Sequence, residues 1–148
     1  MKVAIDASSF RAIPNIFRNL QGRSEKSMEQ AAAALAMKIR TTAVDLIQKG
    51  PKSGRVYGEH QASAPGEAPA SNTGDLARSI RVVKGEEKTW FVVARVPYAS
   101  YLEFGTEYME PRPFMTPAFV QALPNLKDEI WKAWKAQKDS FSSTTQGE

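Results

Sequence analysis

The chain has 148 residues, 42% of them hydrophobic and 24% charged, which is typical of a single globular domain with its own core. The absence of cysteine excludes a disulfide framework, a thiol nucleophile and a cysteine-based metal site. Twenty Lys and Arg against sixteen Asp and Glu give a net charge of +4, which does not by itself require a nucleic-acid partner.

The sequence contains no signal for a membrane or for secretion. No apolar run approaches the ~20 residues that a membrane-spanning helix needs. The first six residues, Met-Lys-Val-Ala-Ile-Asp, lack the basic region and long apolar run of a secretory signal. We therefore expect a protein that is made in a cytoplasm, stays there and has no membrane partner.

A long amphipathic helix is predicted over residues 27–49. A Ser-x-x-Gln capping box at 27–30 predicts its start, and Lys-Gly-Pro at 49–51 predicts its end. We interpret the alanines at 31–34 as helix formers rather than as a close-packing surface. Apolar spacing at 13–20 predicts an earlier helical segment, and the join between the two stays open. The apolar residues recurring at spacings of three and four in the long helix are Met28, Ala32, Leu35, Ile39, Ala43 and Leu46.

Residues 50–74 are rich in Gly, Pro, Ser, Ala and Asn and predict a long extended loop. A structureless connection of this length is uncommon in a compact domain. Because an isolated subunit offers such a loop little to pack against, we expect it to become ordered by reaching onto a neighbouring subunit.

The next segment predicts an antiparallel hairpin. After a short helical turn at 75–79, residues 80–84 and 89–96 are rich in β-branched and aromatic side chains. The second strand is apolar on both faces, which indicates cover on both sides. The long helix is expected on one side, and another subunit is a candidate for the other.

Two further helices are predicted in the C-terminal third. Residues 98–104 form a short helical stretch closed by Gly105, and a longer helix begins at Thr116 with Pro117 in its first turn. A break is expected at Pro124. The predicted architecture is α+β, with the long N-terminal helix and the C-terminal helix packed on a small antiparallel sheet. We expect one domain over residues 1–138 and a flexible polar tail at 139–148.

Few residues fit a catalytic pattern. His60 has an adjacent carboxylate but no third ligand or orienting partner, which favours a solvated loop histidine. Glu103, Glu107 and Glu110 could be paired carboxylates or cation ligands, but salt bridges to Arg112 or to a neighbouring subunit are favoured. No nucleophile elbow, P-loop or dinucleotide fingerprint is present, so we expect no enzyme activity, no cofactor and no metal site.

A group of cations in the first third of the chain leaves a nucleic-acid function open. The alternative function is a small DNA-binding protein that uses the basic N-terminal helix and loop, with Tyr57 interleaved among the cations. Scattered surface cations, or cations facing DNA inside a ring, would give the same pattern. The group consists of Arg11, Arg18, Arg23, Lys26, Lys49, Lys52 and Arg55.

Two segments resemble a known family. Residues 96–106 read Val-Pro-Tyr-Ala-Ser-Tyr-Leu-Glu-Phe-Gly-Thr, and residues 111–118 read Pro-Arg-Pro-Phe-Met-Thr-Pro-Ala. In this order they are similar to the signature of the head–tail joining and tail-completion family of lambda-like siphophages. Segments 53–57, 62–69 and 73–80 resemble that family as well, so the resemblance covers about residues 25–135.

The resemblance implies a non-enzymatic virion subunit that forms a ring, commonly a hexamer, at the phage neck. Its partners would be further copies of itself, head connector proteins and tail tube or terminator proteins, with non-specific DNA in the lumen. Assembly would take place in the cytoplasm of the bacterial host. The subunit interface is then expected to include Arg55, Tyr57, Pro65, Pro69, Tyr98, Tyr101, Glu103, Phe104, Arg112, Phe114 and Met115.

Overall fold

The computed structural model describes residues 1–6, 25–86 and 88–126 and the single positions 128, 131, 132 and 135. The predictions for residues 13–20 and for the tail at 139–148 lie outside the described residues. In chain order the elements are β1 Lys2–Asp6, α1 Glu25–Lys49, β2 Val56–Tyr57, β3 His60–Gln61, α2 Asp75–Ser79, β4 Ile80–Lys84, β5 Thr89–Ala94, α3 Ala99–Phe104, α4 Met115–Ala122 and a 3₁₀ turn Leu123–Asn125.

Helix α1 forms the centre of the molecule. Its apolar stripe supplies Leu35 and Ile39 to the core, as the spacing of three and four residues predicts. Ala31 and Ala32 are completely buried as well. Part of the alanine run therefore packs in the core, in addition to favouring the helix.

Three strands form an antiparallel sheet in the order β1-β5-β4. The predicted hairpin is confirmed, with β4 and β5 paired so that Val82 faces Val92. Strand β5 ends at Ala94, two residues earlier than predicted. The sequence reasoning did not identify β1, which pairs with the other edge of β5 and places Val3 opposite Val92.

The helices and the sheet pack around α1. The inner face of the sheet contributes Ile80, Val92 and Ala94 to the core, and α1 lies against it. Helix α4 also packs on α1, so α1 contacts the sheet and α4. The α+β prediction is confirmed, and the C-terminal helix joins the core mainly through α1. The expected break is present, because α4 ends at Ala122 and the 3₁₀ turn that contains Pro124 follows.

The long loop has internal structure. Strands β2 and β3 form a small hairpin within it, with Tyr57 opposite His60. The Lys52 ammonium donates to the backbone carbonyls of Leu46 and Ala68, at 3.3 and 3.0 Å. Residues 63, 68 and 69 are buried. The premise that an isolated subunit offers the loop little to pack against is therefore wrong, since the loop packs against its own chain.

None of the helices among the described residues is both long enough and apolar enough to cross a bilayer.

Candidate assembly surface

Glu103 lies in α3, within the segment 96–106, and joins α3 to α4. The side chain projects from the last turn of α3 and is only 3% exposed. Its Oε2 accepts hydrogen bonds from the backbone N–H groups of Phe114 and Met115, each at 2.9 Å, and its Oε1 accepts one from Thr116 at 2.7 Å. These amides open α4 and have no partner within the helix. We call Glu103 with these three amides the clasp.

The clasp corrects two predictions. The first turn of α4 is capped by the carboxylate of Glu103 and not by Thr116, because the helix begins at Met115. Among the described residues no ion pair joins Glu103 to Arg112. Arg112 instead donates through Nε to the carbonyl of Ser63 and through Nη1 to that of Glu110. The positive end of the α4 dipole supplies the favourable partner that the buried carboxylate requires.

Gly105 lets the chain turn sharply after α3. Its φ of 76° and ψ of −179° lie in a region that is essentially restricted to glycine. A Cβ at this position would lie 2.7 Å from the carbonyl oxygen of Met109 and 2.9 Å from Cδ of Pro111. Thr106 and Met109 bridge across the turn, with the N–H of Thr106 donating to Met109 at 2.8 Å. The turn is therefore tight and internally bonded.

The variant Gly105→Ala is expected to lower the free energy of unfolding by about 2–4 kcal/mol, because backbone strain and steric overlap add. Gly66→Ala is the matched control. Gly66 also has a positive φ, of 82°, but nothing lies within 4 Å of its added Cβ. Its expected cost is about 1–2 kcal/mol. Urea denaturation measures both, and equal costs would show that the turn is not tightly packed around Gly105.

Aromatic side chains protrude from this segment. Tyr101 and Phe104 are 58% and 69% exposed, and their spacing of three residues places them on one side of α3. Tyr98 is exposed at the start of the helix. Beyond Gly105, Tyr108 is 91% exposed. Exposed large apolar side chains this close together are typical of a protein interaction surface.

The loop hairpin lies near α3 across a shallow groove. The groove has a volume of about 240 Å³, and His60, Tyr98, Leu102 and Arg112 are among its lining residues. His60 is half-buried at this position rather than fully solvated. Among the described residues no three His, Asp or Glu side chains come together as a metal site would require.

The predicted interface residues fall into three groups by exposure. Four of them are buried within the folded subunit, where their side chains already pack or hydrogen-bond. The exposed residues are Arg55, Tyr57, Pro65, Tyr98, Tyr101 and Phe104; Arg112 is half-buried; Pro69, Glu103, Phe114 and Met115 are buried.

Of the four described members of the predicted basic group, Lys49, Lys52 and Arg55 make contacts within the subunit, and Lys26 is exposed. Lys49 forms an ion pair with the adjacent-turn carboxylate of Asp45 at 2.7 Å. Lys52 is bonded to two carbonyls, and the Arg55 guanidinium lies 5.4 Å from the centre of the exposed Tyr57 ring, within cation–π range. The cations of the predicted N-terminal helix, Arg11, Arg18 and Arg23, lie outside the described residues.

Glu67 ties the two ends of the loop hairpin together. Its Oε2 accepts hydrogen bonds from the backbone N–H groups of Ser53 and Ala64, at 2.9 and 2.8 Å, and its Oε1 accepts one from the Ser53 hydroxyl. The Ser53 hydroxyl, followed by the two backbone amides, lowers the pKa of Glu67 below its ordinary value. This anchor was not identified from the sequence.

Because the pKa of Glu67 is lower in the folded chain, its stabilising contribution is present above the unfolded pKa of about 4.3 and is lost as the pH falls through the folded pKa. We expect the amide resonances of Ser53 and Ala64 to shift together with a midpoint below about 4.3 in an NMR pH titration. Glu67→Gln should abolish this shift. A midpoint at or above the ordinary value would contradict the hydrogen-bonding arrangement.

The fold and surface define a class of protein: a small α+β subunit that presents exposed aromatic side chains on a tightly bonded frame, as subunits of larger assemblies do. The chain belongs to the HK97-gp10-like family, described as "Bacteriophage HK97-gp10, putative tail-component", whose model matches residues 12–105. No curated protein and no solved structure matches the chain. The predicted phage tail morphogenesis family is thus confirmed, and the chain is a structural tail protein of a bacteriophage.

Proposed function

We propose that the protein is a tail-completion subunit that assembles into a ring, a hexamer, at the neck of the phage. In this position it would contact head connector proteins on one side and tail tube or terminator proteins on the other. Residues 1–138 would act as one domain within the ring. Two observations support the proposal: the chain belongs to a phage tail family, and residues 96–106 and 111–118 resemble the head–tail joining and tail-completion family.

The observation that carries the proposal is the exposed aromatic surface of α3. A single subunit leaves Tyr101 and Phe104 in water, although both are large apolar side chains. Burying about 800 Å² on each partner is typical of a stable contact, and clustered aromatic side chains supply much of the energy at such interfaces. The protein would act by shape and contact, with no catalytic step.

Location and native mass test the proposal. Immunogold labelling of purified particles of the phage that encodes the protein should place label at the junction of head and tail. Light scattering over a concentration series should show a discrete multimer, which Tyr101→Ala with Phe104→Ala should weaken. Val120→Ala is the control for removing an exposed apolar side chain elsewhere, because Val120 is 57% exposed and is not among the predicted interface residues. Label along the tail tube or at its distal tip would contradict the proposed place in the neck.

A further inference from the structure

The sheet has an outer face that points away from α1. Because Val92 and Ala94 are buried on the α1 side, strand alternation places Phe91 and Val93 on the opposite side. Directly paired residues of neighbouring strands lie on the same face of a sheet. Val83 is paired with Phe91, and Arg81 and Lys2 are both paired with Val93. Arg95 follows directly on Ala94, the last residue of the strand, and is exposed. These six residues define the outer face: Lys2, Arg81, Val83, Phe91, Val93 and Arg95.

The outer face combines an apolar centre with a cationic margin. Phe91 and Val93 are half-buried, whereas the three cations around them are exposed. The Lys2 ammonium lies 3.6 Å from the centre of the Phe91 ring. Among the described residues, neither Lys2, Arg81 nor Arg95 forms an ion pair. The surface therefore suits a partner that is apolar at its tip and negatively charged around it.

The chain itself carries a surface of that description. Residues 104–110, which we call the acidic turn, present Tyr108 at 91% exposure with Glu107 and Glu110 on either side of it. Neither carboxylate forms an ion pair with a described residue. Two negative charges thus flank an aromatic ring, opposite in sign to the three cations that surround the apolar centre of the outer face.

The positions of the two surfaces allow a head-to-tail contact. The outer face points away from α1, whereas the clasp anchors the acidic turn to α4, which packs against α1. A contact between two different surfaces repeats from copy to copy and closes into a ring when the rotation permits. Duplex DNA would match the cations of the outer face but would leave its apolar centre without a complementary group.

We propose that the acidic turn of one copy docks on the outer face of the next copy. Tyr108 packs against Phe91 and Val93, while Glu107 and Glu110 face Arg81 and its neighbouring cations. The inference rests on the proposed self-assembly and names the two surfaces that perform it. The apolar contact supplies attraction, and the charges determine which surfaces meet.

Charge reversal tests the pairing. One variant reverses the turn, with Glu107→Lys and Glu110→Lys, and a second reverses the sheet, with Arg81→Glu and Arg95→Glu. Each alone should associate at least tenfold more weakly than the wild-type chain in sedimentation equilibrium, since like charges then meet at every contact. An equimolar mixture of the two should regain the wild-type mass, because each turn then meets an oppositely charged sheet face.

Two exposed charges outside both surfaces provide the controls. Asp128→Lys changes the net charge as much as each substitution in the turn, and Lys38→Glu as much as each substitution in the sheet. Both should leave the native mass unchanged. Circular dichroism of every variant should match that of the wild-type chain, because all substituted side chains are exposed. Combining the turn and sheet reversals in one chain should also restore self-association.

The outcomes separate this inference from the proposed function. If the wild-type chain forms a multimer and neither reversal weakens it, the pairing is overturned but ring assembly is not. The same holds if the equimolar mixture of the two variants stays dissociated. A wild-type chain that stays monomeric up to about millimolar concentration overturns both. If the sheet-reversal variant lost the duplex DNA binding of the wild-type chain in a gel-shift assay but kept the wild-type native mass, the outer face would be a nucleic-acid surface instead.

Discussion

Glu103→Ala is expected to lower the free energy of unfolding by about 3–5 kcal/mol. The substitution removes a buried carboxylate that accepts three hydrogen bonds. It also leaves the amides at the start of α4 without acceptors in a buried position, which costs more than losing an exposed contact. The midpoint of urea denaturation, with an unchanged slope, measures the loss.

Two variants show whether the clasp is responsible. Glu110→Ala removes an exposed glutamate nearby and should change stability by no more than about 0.5 kcal/mol. Glu103→Gln preserves the side-chain length and one acceptor oxygen but lacks the charge, so it should fall between the alanine variant and the wild-type chain. If Glu103→Ala proved as stable as Glu110→Ala, the start of α4 would not depend on the clasp.

Phe114→Ala should destabilise the chain by about 3–5 kcal/mol, whereas Phe104→Ala should change its stability by less than about 0.5 kcal/mol. Phe104 lies in the first of the two segments that resemble the phage family and Phe114 in the second, and the sequence analysis assigned both to an interface. In the structure Phe114 is fully buried and Phe104 is largely exposed. Removing the first leaves a cavity in the core, and removing the second only changes the surface.

The same pair separates folding from assembly. Thermal melting monitored by circular dichroism should show a large loss for Phe114→Ala and almost none for Phe104→Ala. Phe104→Ala should stay folded but associate more weakly, so its native mass should be lower than that of the wild-type chain at the same concentration. A strong destabilisation by Phe104→Ala would mean that α3 packs more closely in solution than its exposed aromatic side chains indicate.

Local patterns predicted much of the fold. The spacing of apolar side chains along α1 and the β-branched content of 80–84 and 89–96 depend on neighbours within a few residues. Both elements were predicted correctly, although β5 ends two residues early. The break at Pro124 follows from the missing N–H of proline, which is equally local. These elements explain why the α+β class could be predicted.

Long-range partners explain the errors. Lys2–Asp6 is a five-residue strand whose partner lies in β5, far along the chain, and so short a segment gives a weak signal by itself. The clasp joins residues 11 to 13 positions apart through a buried carboxylate, where composition alone favours exposure. The loop was expected to be unsupported because the Ser53 partner of Glu67 and the Ala68 partner of Lys52 come within reach only after the chain has folded back.

The position of α1 has a mechanical consequence. Fully buried alanines line this helix, and closely packed interiors have low compressibility and transmit strain. A force applied to the segment between α3 and α4 would pass through the hydrogen bonds of Glu103 into α4, then across α1 into the sheet. The subunit should therefore respond to load as a stiff body. In the proposed ring, the angle between the two contact surfaces of each subunit would then determine the diameter of the opening.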